Sequence, residues 1–240
     1  MRRLRPDLWL LELGFPVPLD ARAYILDERI DRETGEQNGD GEVVLVDTGI
    51  RYNRPGRSLL GEMEAAGYAP ADVDRVLLTH YDLDHTGGLD RVAFDCPAYM
   101  GERDVALMRG EWDPPVAHHK GLFHRGARRL FPVPEHVDLR PVADGERVGR
   151  FTAYHTPGHN PGHTVYIHDS GAAFLGDLVW GGEEGLTTPF WADSYDMRQL
   201  AESVRSLAER VDRFDMALMA HGEPYLEAGH ERLRELAGAV

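Results

Sequence analysis

The segment 79–88 follows an apolar run at 76–78 that is typical of a buried strand. Four of its side chains are imidazoles or carboxylates: His80, Asp82, Asp84 and His85. In an extended backbone alternate side chains point the same way, so the first three are predicted to face one side, and a bend after Asp84 brings His85 to a neighbouring position. Imidazole and carboxylate suit Zn, Fe(II) and Mn. The segment therefore predicts a metal site at the end of a strand.

Three later residues repeat this pattern. His159, Asp177 and His221 each follow a strand-like run, at the point where the strand gives way to a loop. Rigid scaffolds place chemistry at such positions. A polar loop without ligands is the competing interpretation of 79–88 taken alone, and the three additional residues weigh against it.

The motifs resemble those of the metallo-β-lactamase-fold hydrolases, a superfamily that includes glyoxalase II, lactonases, tRNA-processing ribonucleases and flavodiiron proteins. They follow the family's order from about residue 43 to 224: Asp47-Thr48-Gly49, the His80 to His85 motif, Pro-Gly-His at His159, Gly-Asp at Asp177, and His221-Gly222. The resemblance implies an α+β fold, a four-layer αβ/βα sandwich, as a single domain over 1–240. It says little about substrate, because this fold hosts many chemistries.

The resemblance further implies two metal ions per chain. One would be bound by His80, Asp82 and His159, and the other by Asp84, His85 and His221. Asp177 would bridge the two ions. Asp47 and His163 are implied to support the site by hydrogen bonding, not to bind metal.

One position departs from the family pattern. Asp82 stands where the second histidine of the usual His-x-His-x-Asp-His motif is found. A carboxylate makes the first site harder and more anionic, which favours Fe or Mn relative to Zn. Flavodiiron proteins carry a glutamate there and bind iron. Zn accepts carboxylates as well, so Zn is expected first, with Fe and Mn as alternatives.

The charge and composition limit the partners. The net charge is −15, with 41 acidic and 26 basic residues, whereas nucleic-acid binding needs a basic footprint. No stretch reaches the roughly 20 apolar residues of a membrane span. With one cysteine, Cys96, no internal disulfide can form. We expect a cytoplasmic protein with a small-molecule substrate and no nucleic-acid or membrane partner, as a monomer or homodimer.

The region 110–134 is the least regular part of the sequence and is predicted to be a lid or substrate wall. His118 and His119 are candidate substrate contacts there, with exposed loop histidines as the alternative. Trp180 and Trp191 are candidates for an apolar wall of the pocket, and packing in the core is the alternative. Helices are predicted at 55–67, from Gly87 onward, and at 102–109, 197–211 and 227–236.

The implied reaction is hydrolysis of a small ester, thioester or lactone by a hydroxide that bridges two metals, with Asp84 and Asp177 as catalytic carboxylates. A phosphodiester is the second substrate class. Many lactonases of this fold have a tyrosine where this chain has Trp180, which counts against acyl-homoserine lactones. An iron-dependent oxidoreductase, suggested by Asp82, and a non-catalytic metal-binding protein are the alternatives from other classes.

Overall fold

The structure is a computed structural model that describes residues 1–14, 20–51, 57–115 and 118–240. The chain divides into two compact units. The first comprises residues 1–78, 82–99 and 133–140, and the second comprises 79–81, 100–132 and 141–240. The segment 79–88 therefore contributes residues to both units.

The larger sheet has seven strands in the order β1 to β7. Their bounds are β1 (Arg2–Arg5), β2 (Leu8–Gly14), β3 (Asp20–Asp27), β4 (Val43–Val46), β5 (Arg75–Leu78), β6 (Ala98–Gly101) and β7 (Leu139–Val142). Strands β1 to β4 pair antiparallel, and β4 pairs parallel with β5. All four residues of β4 are buried, as expected for a strand covered on both faces.

The helix predicted at 55–67 begins later than expected, at Leu59. Helix α1 (Leu59–Ala66) starts after Ser58, whose side chain accepts a hydrogen bond from the Gly61 amide. It ends at Gly67, which has the left-handed backbone that favours glycine. Pro55 lies outside the described residues. Leu59 and Met63 are buried in this helix, whereas Leu60 is 40% exposed.

The segment 79–88 is not extended throughout, which corrects the predicted alternation. Helix α2 (Leu83–Thr86) begins directly after Asp82, and a 3₁₀ helix follows at Gly87–Asp90. Asp84 and His85 are therefore neighbours on a short helix. The helix expected from Gly87 onward starts four residues earlier, at Leu83, and is a 3₁₀ helix over Gly87–Asp90.

A second sheet has five strands in the order β14-β11-β10-β9-β8. Their bounds are β8 (Arg147–Val148), β9 (Phe151–His155), β10 (Thr164–His168), β11 (Ala172–Gly176) and β14 (Met216–Met219); a two-stranded ribbon is formed by β12 (Trp180–Gly181) and β13 (Leu186–Thr187). Strand β11 pairs antiparallel with β10 and parallel with β14. The carboxyl ends of β11 and β14 consequently lie at the same edge of this sheet.

The remaining helices are α3 (Glu102–Arg109), α4 (His119–Leu130), α5 (Met197–Arg210) and α6 (Gly229–Ala239). Helix α5 is capped by Asp196, which accepts hydrogen bonds from two amides of the first turn. Its apolar face, which includes Leu200, Val204 and Leu207, joins the core of the second unit.

Helix α4 lies inside the region that was predicted to be irregular. Its sequence contains Gly121 and Gly126, which disfavour an isolated helix. Ala127 and His124 are buried, so packing stabilises it. No helix in the part of the chain that the structure describes is long and apolar enough to cross a membrane.

Candidate metal centre

The carboxylate of Asp177 is surrounded by three imidazoles in the second unit. Its Oδ2 lies 3.4 Å from His221 Nε2, 3.5 Å from His159 Nε2 and 3.9 Å from His80 Nε2. All four residues lie at or just beyond the ends of different strands. We call His80, His159, Asp177 and His221 the ligand cluster.

The sheet positions Asp177 and His221. Strand β11 runs parallel to β14, so Asp177 and His221 emerge from the same sheet edge. Gly176 precedes Asp177 with φ +52°, and a Cβ there would lie 2.7 Å from the Thr79 side chain. Only glycine fits this close approach.

The start of α5 positions His159. The Asp196 amide donates to the Gly158 carbonyl at 2.8 Å, and the Tyr195 amide donates to the His159 carbonyl at 3.0 Å. Gly158 has φ +140°, and a Cβ on it would lie 2.3 Å from the backbone of Leu200. Glycine is therefore required where the histidine turn packs against the helix.

Hydrogen bonds orient the imidazoles of this unit. Thr79 Oγ1 lies 3.0 Å from His80 Nδ1, which leaves Nε2 as the atom nearer to Asp177. The Asp177 amide donates to His163 Nε2 at 3.1 Å, so the proton of His163 is on Nδ1, which donates to Thr156 Oγ1 at 2.8 Å. Both nitrogens of His163 are used by protein groups, in keeping with the supporting role that the resemblance implies for it.

In the first unit, contacts with Asp47 and Thr48 orient His85. Asp47 Oδ2 lies 2.9 Å from His85 Nδ1, and Thr48 Oγ1 donates to the His85 carbonyl at 2.8 Å. His85 Nε2 is 3.9 Å from Asp84 Oδ2. Asp82 is buried at the start of α2, and its carbonyl accepts from Thr86 Oγ1 at 2.9 Å.

Asp47 adopts a backbone conformation that is uncommon for its residue type. Its φ is +59°, in the left-handed region that aspartate and asparagine tolerate better than most residues. Such strain persists where the surroundings fix it, and it is typical of functional sites. Here the strained backbone presents the carboxylate to His85.

Aromatic side chains lie next to His221. The Trp180 ring is 5.1 Å from the His221 ring and 5.7 Å from that of Phe190, both edge to face. Phe190 is 56% exposed and Trp191 is 71% exposed, so neither belongs to the core. Trp180 is half-buried. The core alternative for Trp191 is therefore wrong.

Histidines of the 118–130 region hold α4 against the segment 190–195. His118 Nε2 donates to the Tyr195 carbonyl at 2.8 Å, and His119 Nε2 donates to the Ala192 carbonyl at 2.9 Å. His124 is fully buried, with Nδ1 2.7 Å from Tyr195 Oη. We call the contacts of His118, His119, Lys120 and His124 with the segment 190–195 the α4 contact.

Two further residues near the ligand cluster are not among the ligands that the resemblance implies. Lys120 Nζ donates to His159 Nε2 at 2.9 Å and to the Asp193 carbonyl at 2.7 Å. Asp193 offers a carboxylate oxygen that lies within 4.8 Å of ligand atoms of His159 and Asp177. Asp193 follows an irregular segment and carried no local signal. Lys120 did carry one, because it is the only lysine in the chain.

An arginine–carboxylate pair also joins α4 to the residues before it. Arg128 hydrogen-bonds Asp113, with 2.6 Å between Nη1 and Oδ1, and this bond lowers the pKa of the Asp113 carboxyl. Arg125 reinforces the pair from 3.1 Å.

The donor set fits a divalent metal ion. Nitrogen atoms of three histidines converge on one buried carboxylate oxygen, and imidazole with carboxylate is the chemistry that Zn, Fe and Mn accept. The second unit thus holds a histidine–aspartate cluster able to bind metal.

The sequence of this chain is similar to those of known proteins. A family model described as the metallo-beta-lactamase superfamily matches residues 36–214. A Bacillus subtilis protein named "Probable metallo-hydrolase YybB" is 28% identical over 94% of this chain and 92% of its own length. "N-acyl homoserine lactonase AttM" of Azorhizobium caulinodans is 28% identical over 66% of this chain and 62% of its own.

The fold of this chain is similar to that of a solved structure. The protein TTHA1623, determined in a di-iron-bound form, is 26% identical to this chain, with a TM-score of 0.62. The match covers 94% of this chain and 98% of that one. The predicted α+β class and fold are thereby confirmed. The motifs, the fold and the family match together establish that the chain belongs to the metallo-β-lactamase superfamily of metallo-hydrolases.

Proposed function

We propose that this protein is a binuclear metal-dependent hydrolase that acts on a small ester, thioester or lactone. The observation that carries the proposal is the convergence of three histidine Nε2 atoms on Asp177 Oδ2, within 3.4 to 3.9 Å. A buried cluster of this composition favours a metal centre over a structural network.

The proposed ligands are seven histidine and aspartate side chains. They are His80, Asp82 and His159 for one metal, Asp84, His85 and His221 for the other, and Asp177 for both. The family resemblance supports this assignment of ligands to two metals. The segment 79–88 supports it as well, because it contains proposed ligands of both metals. When bound, divalent metals act as Lewis acids that lower the pKa of water and polarise a substrate oxygen.

The protein residues supply orientation. Thr79 and Asp47 fix the rings of His80 and His85, and the Asp177 amide is fixed by His163. Asp84 and Asp177 are the proposed catalytic carboxylates, because each would contact both a metal and the attacking water. Neither a serine nor a cysteine nucleophile is needed.

The metal itself is proposed to be Zn, with Fe and Mn as alternatives. Asp82 in place of the usual histidine hardens the first site and raises its preference for Fe or Mn. A structural relative was determined in a di-iron-bound form, which supports iron as an alternative metal.

The proposed ester, thioester or lactone class follows from the surroundings of His221. Trp180 and Phe190 offer an apolar wall beside that residue, which suits an acyl chain or ring. A relative named as a lactonase agrees with this bond class.

The test compares wild type with Asp177→Ala. Metal content is measured by elemental analysis after purification without added metal, and hydrolysis is assayed on ester, thioester, lactone and phosphodiester substrates. We expect about two metal ions per chain and chelator-sensitive hydrolysis for wild type. For the variant we expect a loss of turnover of about 1000-fold or more.

A matched control is Asp169→Ala, which removes an exposed carboxylate paired with Arg147 in the same unit. Both variants should retain the circular dichroism spectrum of wild type. An Asp177→Ala enzyme with wild-type turnover would exclude the mechanism. Cleavage of the phosphodiester alone would keep the metal centre but replace the substrate class.

A further inference from the structure

Asp104 is a fully buried carboxylate in the first turn of α3. Aspartate is rarely buried without partners, because removing a charge from water is costly. An acidic residue in a first helical turn is commonly explained by the helix dipole. Here, however, the side chain forms hydrogen bonds with residues that are 23 and 58 positions away in the sequence, so the helix dipole alone does not account for it.

The two oxygens of Asp104 hold two separate segments of the second unit. Oδ2 accepts a hydrogen bond from the Tyr81 amide at 2.8 Å, and Oδ1 accepts one from the Gly162 amide at 2.7 Å. Tyr81 directly follows the proposed ligand His80, and Gly162 lies three residues after the proposed ligand His159. One carboxylate therefore links the backbones beside two residues of the ligand cluster.

Asn160 adds a second connection between these segments. Its Nδ2 donates to the Tyr81 carbonyl at 3.0 Å and lies 3.3 Å from Asp104 Oδ2. The side chain is fully buried and directly follows His159. Tyr81 is therefore held by Asp104 at its amide and by Asn160 at its carbonyl. We call Asp104, Asn160 and the backbone groups that they bond the Asp104 link.

Close backbone packing places Asp104 next to the turn that follows His159. A Cβ on Gly162 would lie 2.2 Å from the Asp104 amide nitrogen. A Cβ on Gly101 would lie 2.1 Å from the Gly162 carbonyl oxygen. Neither position has room for a side chain, so the turn packs directly against the start of α3.

The Asp104 link lies beside two imidazoles whose separation matters for metal binding. The ring centroids of His80 and His159 are 4.7 Å apart, with an interplanar angle of 85°. On the other side of His80, the Thr164 amide donates to the Thr79 carbonyl at 2.8 Å. His80 is thus held through the peptide groups on both sides of it. Such support matters because the ligands of a metal site need to be placed within about 0.5 Å.

A carboxylate is the side chain that this arrangement requires. It accepts hydrogen bonds at both oxygens, whereas the amide of asparagine has one accepting oxygen and one donating nitrogen. In Asp104→Asn the nitrogen would face either the Tyr81 amide or the Gly162 amide, so that two donors would oppose each other. One of the two segments would then lose its hydrogen bond to α3.

We propose that Asp104 is a positioning residue that sets the separation of the His80 and His159 rings, and thereby the affinity for the metal that these two histidines are proposed to share. The inference rests on the proposed binuclear hydrolase, because it uses the same assignment of ligands. Asp104 is not itself a proposed ligand. It acts through the backbones of Tyr81 and Gly162.

The test measures metal binding by Asp104→Asn and by two control variants. Metal-free protein is titrated with Zn in the presence of a chromogenic chelator, which gives the affinity of each binding step. We expect one of the two steps to weaken about 10- to 100-fold and the other to be unchanged. In cobalt-loaded protein, the visible absorption of the metal bound in the weakened step should change, because its ligand geometry changes.

The controls separate positioning from charge and from general stability. Glu102→Gln removes an exposed carboxylate from the same turn of α3 and should bind both metals as wild type does. Leu233→Ala creates a cavity in the core of the second unit and should lower stability without weakening either step. The proposal would be wrong if Asp104→Asn bound both metals as tightly as wild type, if it weakened both steps equally, or if Leu233→Ala weakened the same step.

A second variant decides the question if Asp104→Asn does not fold. Asn160→Ala removes the hydrogen bond to the Tyr81 carbonyl and the contact with Asp104. We expect it to weaken one binding step, by a smaller factor than Asp104→Asn does. Unchanged affinity in both steps would overturn the proposal.

The wild-type protein separates this inference from the proposed hydrolase. If it bound two metals but cleaved no substrate, the hydrolase proposal would fail, and the metal titration would still decide the role of Asp104. If it bound fewer than two metals, the binuclear centre and the role of Asp104 in it would both be wrong.

Discussion

The ligand cluster and the α4 contact are adjacent in the second unit but are constructed in different ways. The cluster is formed by residues at strand ends, where glycines such as Gly176 allow close packing and Thr79 orients the His80 ring. The α4 contact is formed by histidine side chains that donate to backbone carbonyls of an irregular segment. Phe123 and Trp191 beside it are exposed.

This difference separates two kinds of functional element. Strand ends are held by many backbone hydrogen bonds, so ligand geometry is fixed by the sheet itself. The α4 contact depends on a few side-chain bonds and can change without disturbing the sheet. We therefore expect variants of the cluster to affect metal binding, and variants of the α4 contact to affect stability or substrate binding.

Of the three comparisons that follow, the largest effect is expected where a proposed ligand, His85, is oriented by one carboxylate. Asp47→Asn in the first unit keeps a side chain that tolerates φ +59° but removes the charge beside His85. We expect metal affinity or activity to fall about 10- to 100-fold. Competition with a chromogenic chelator measures the affinity.

A matched control for this variant is Asp90→Asn. Asp90 lies just after the 79–88 segment and pairs with Arg51 at 2.9 Å. If Asp47→Asn bound metal as tightly as this control, orientation of His85 by Asp47 would be unimportant.

A smaller effect, on stability, is expected in the α4 contact. Tyr195→Phe removes the hydroxyl that bonds the buried His124. Because a buried imidazole nitrogen would lose its partner, we expect the free energy of unfolding to fall by about 1–3 kcal/mol. The change in kcat/KM should stay below about threefold, since neither residue is a proposed ligand. Urea unfolding measures the first quantity.

Tyr154→Phe provides the comparison for that measurement. Tyr154 is in the same unit, and no hydrogen bond of its hydroxyl is found among the residues that the structure describes. This variant should change stability by less than about 0.5 kcal/mol. Equal losses in the two variants would mean that the Tyr195–His124 bond contributes nothing specific.

The smallest effect concerns pH. The hydrogen bond from Arg128 lowers the pKa of Asp113 in the folded protein. The pair therefore contributes stability above the unfolded pKa, near 3.9, and this contribution is lost as the pH falls through the lower folded value. Asp113→Asn should lower the melting temperature slightly at pH 7, and the difference should shrink toward pH 3.

Glu111→Gln is the control for the pH experiment, because it removes an exposed acidic side chain two positions earlier. Its melting temperature relative to wild type should not follow the same pH dependence. A constant difference between Asp113→Asn and wild type from pH 7 to pH 3 would argue against the Arg128 pair.

Much of the fold was predictable because its signals are local. The apolar run at 76–78 belongs to a strand as expected, and the helices predicted at 102–109 and 197–211 are found at Glu102–Arg109 and Met197–Arg210. The errors fall where long-range packing overrides local preference. Helix α4 contains two glycines, and its formation depends on burial of residues such as His124.

The sequence by itself identified the candidate metal ligands and the family. Histidines and aspartates at strand ends identify the ligand types through residue identity and spacing, which need no coordinates. Asp82 likewise reveals a departure in the first site through its residue type alone.

Only the tertiary structure decided which groups meet. The parallel pairing of β11 with β14 brings Asp177 and His221 together, and the docking of α4 brings Lys120 to His159. Such contacts depend on the pairing of segments that are far apart in the chain, and local residue patterns do not encode that pairing directly. For this reason the single lysine was visible in the sequence, but its place at the ligand cluster was not.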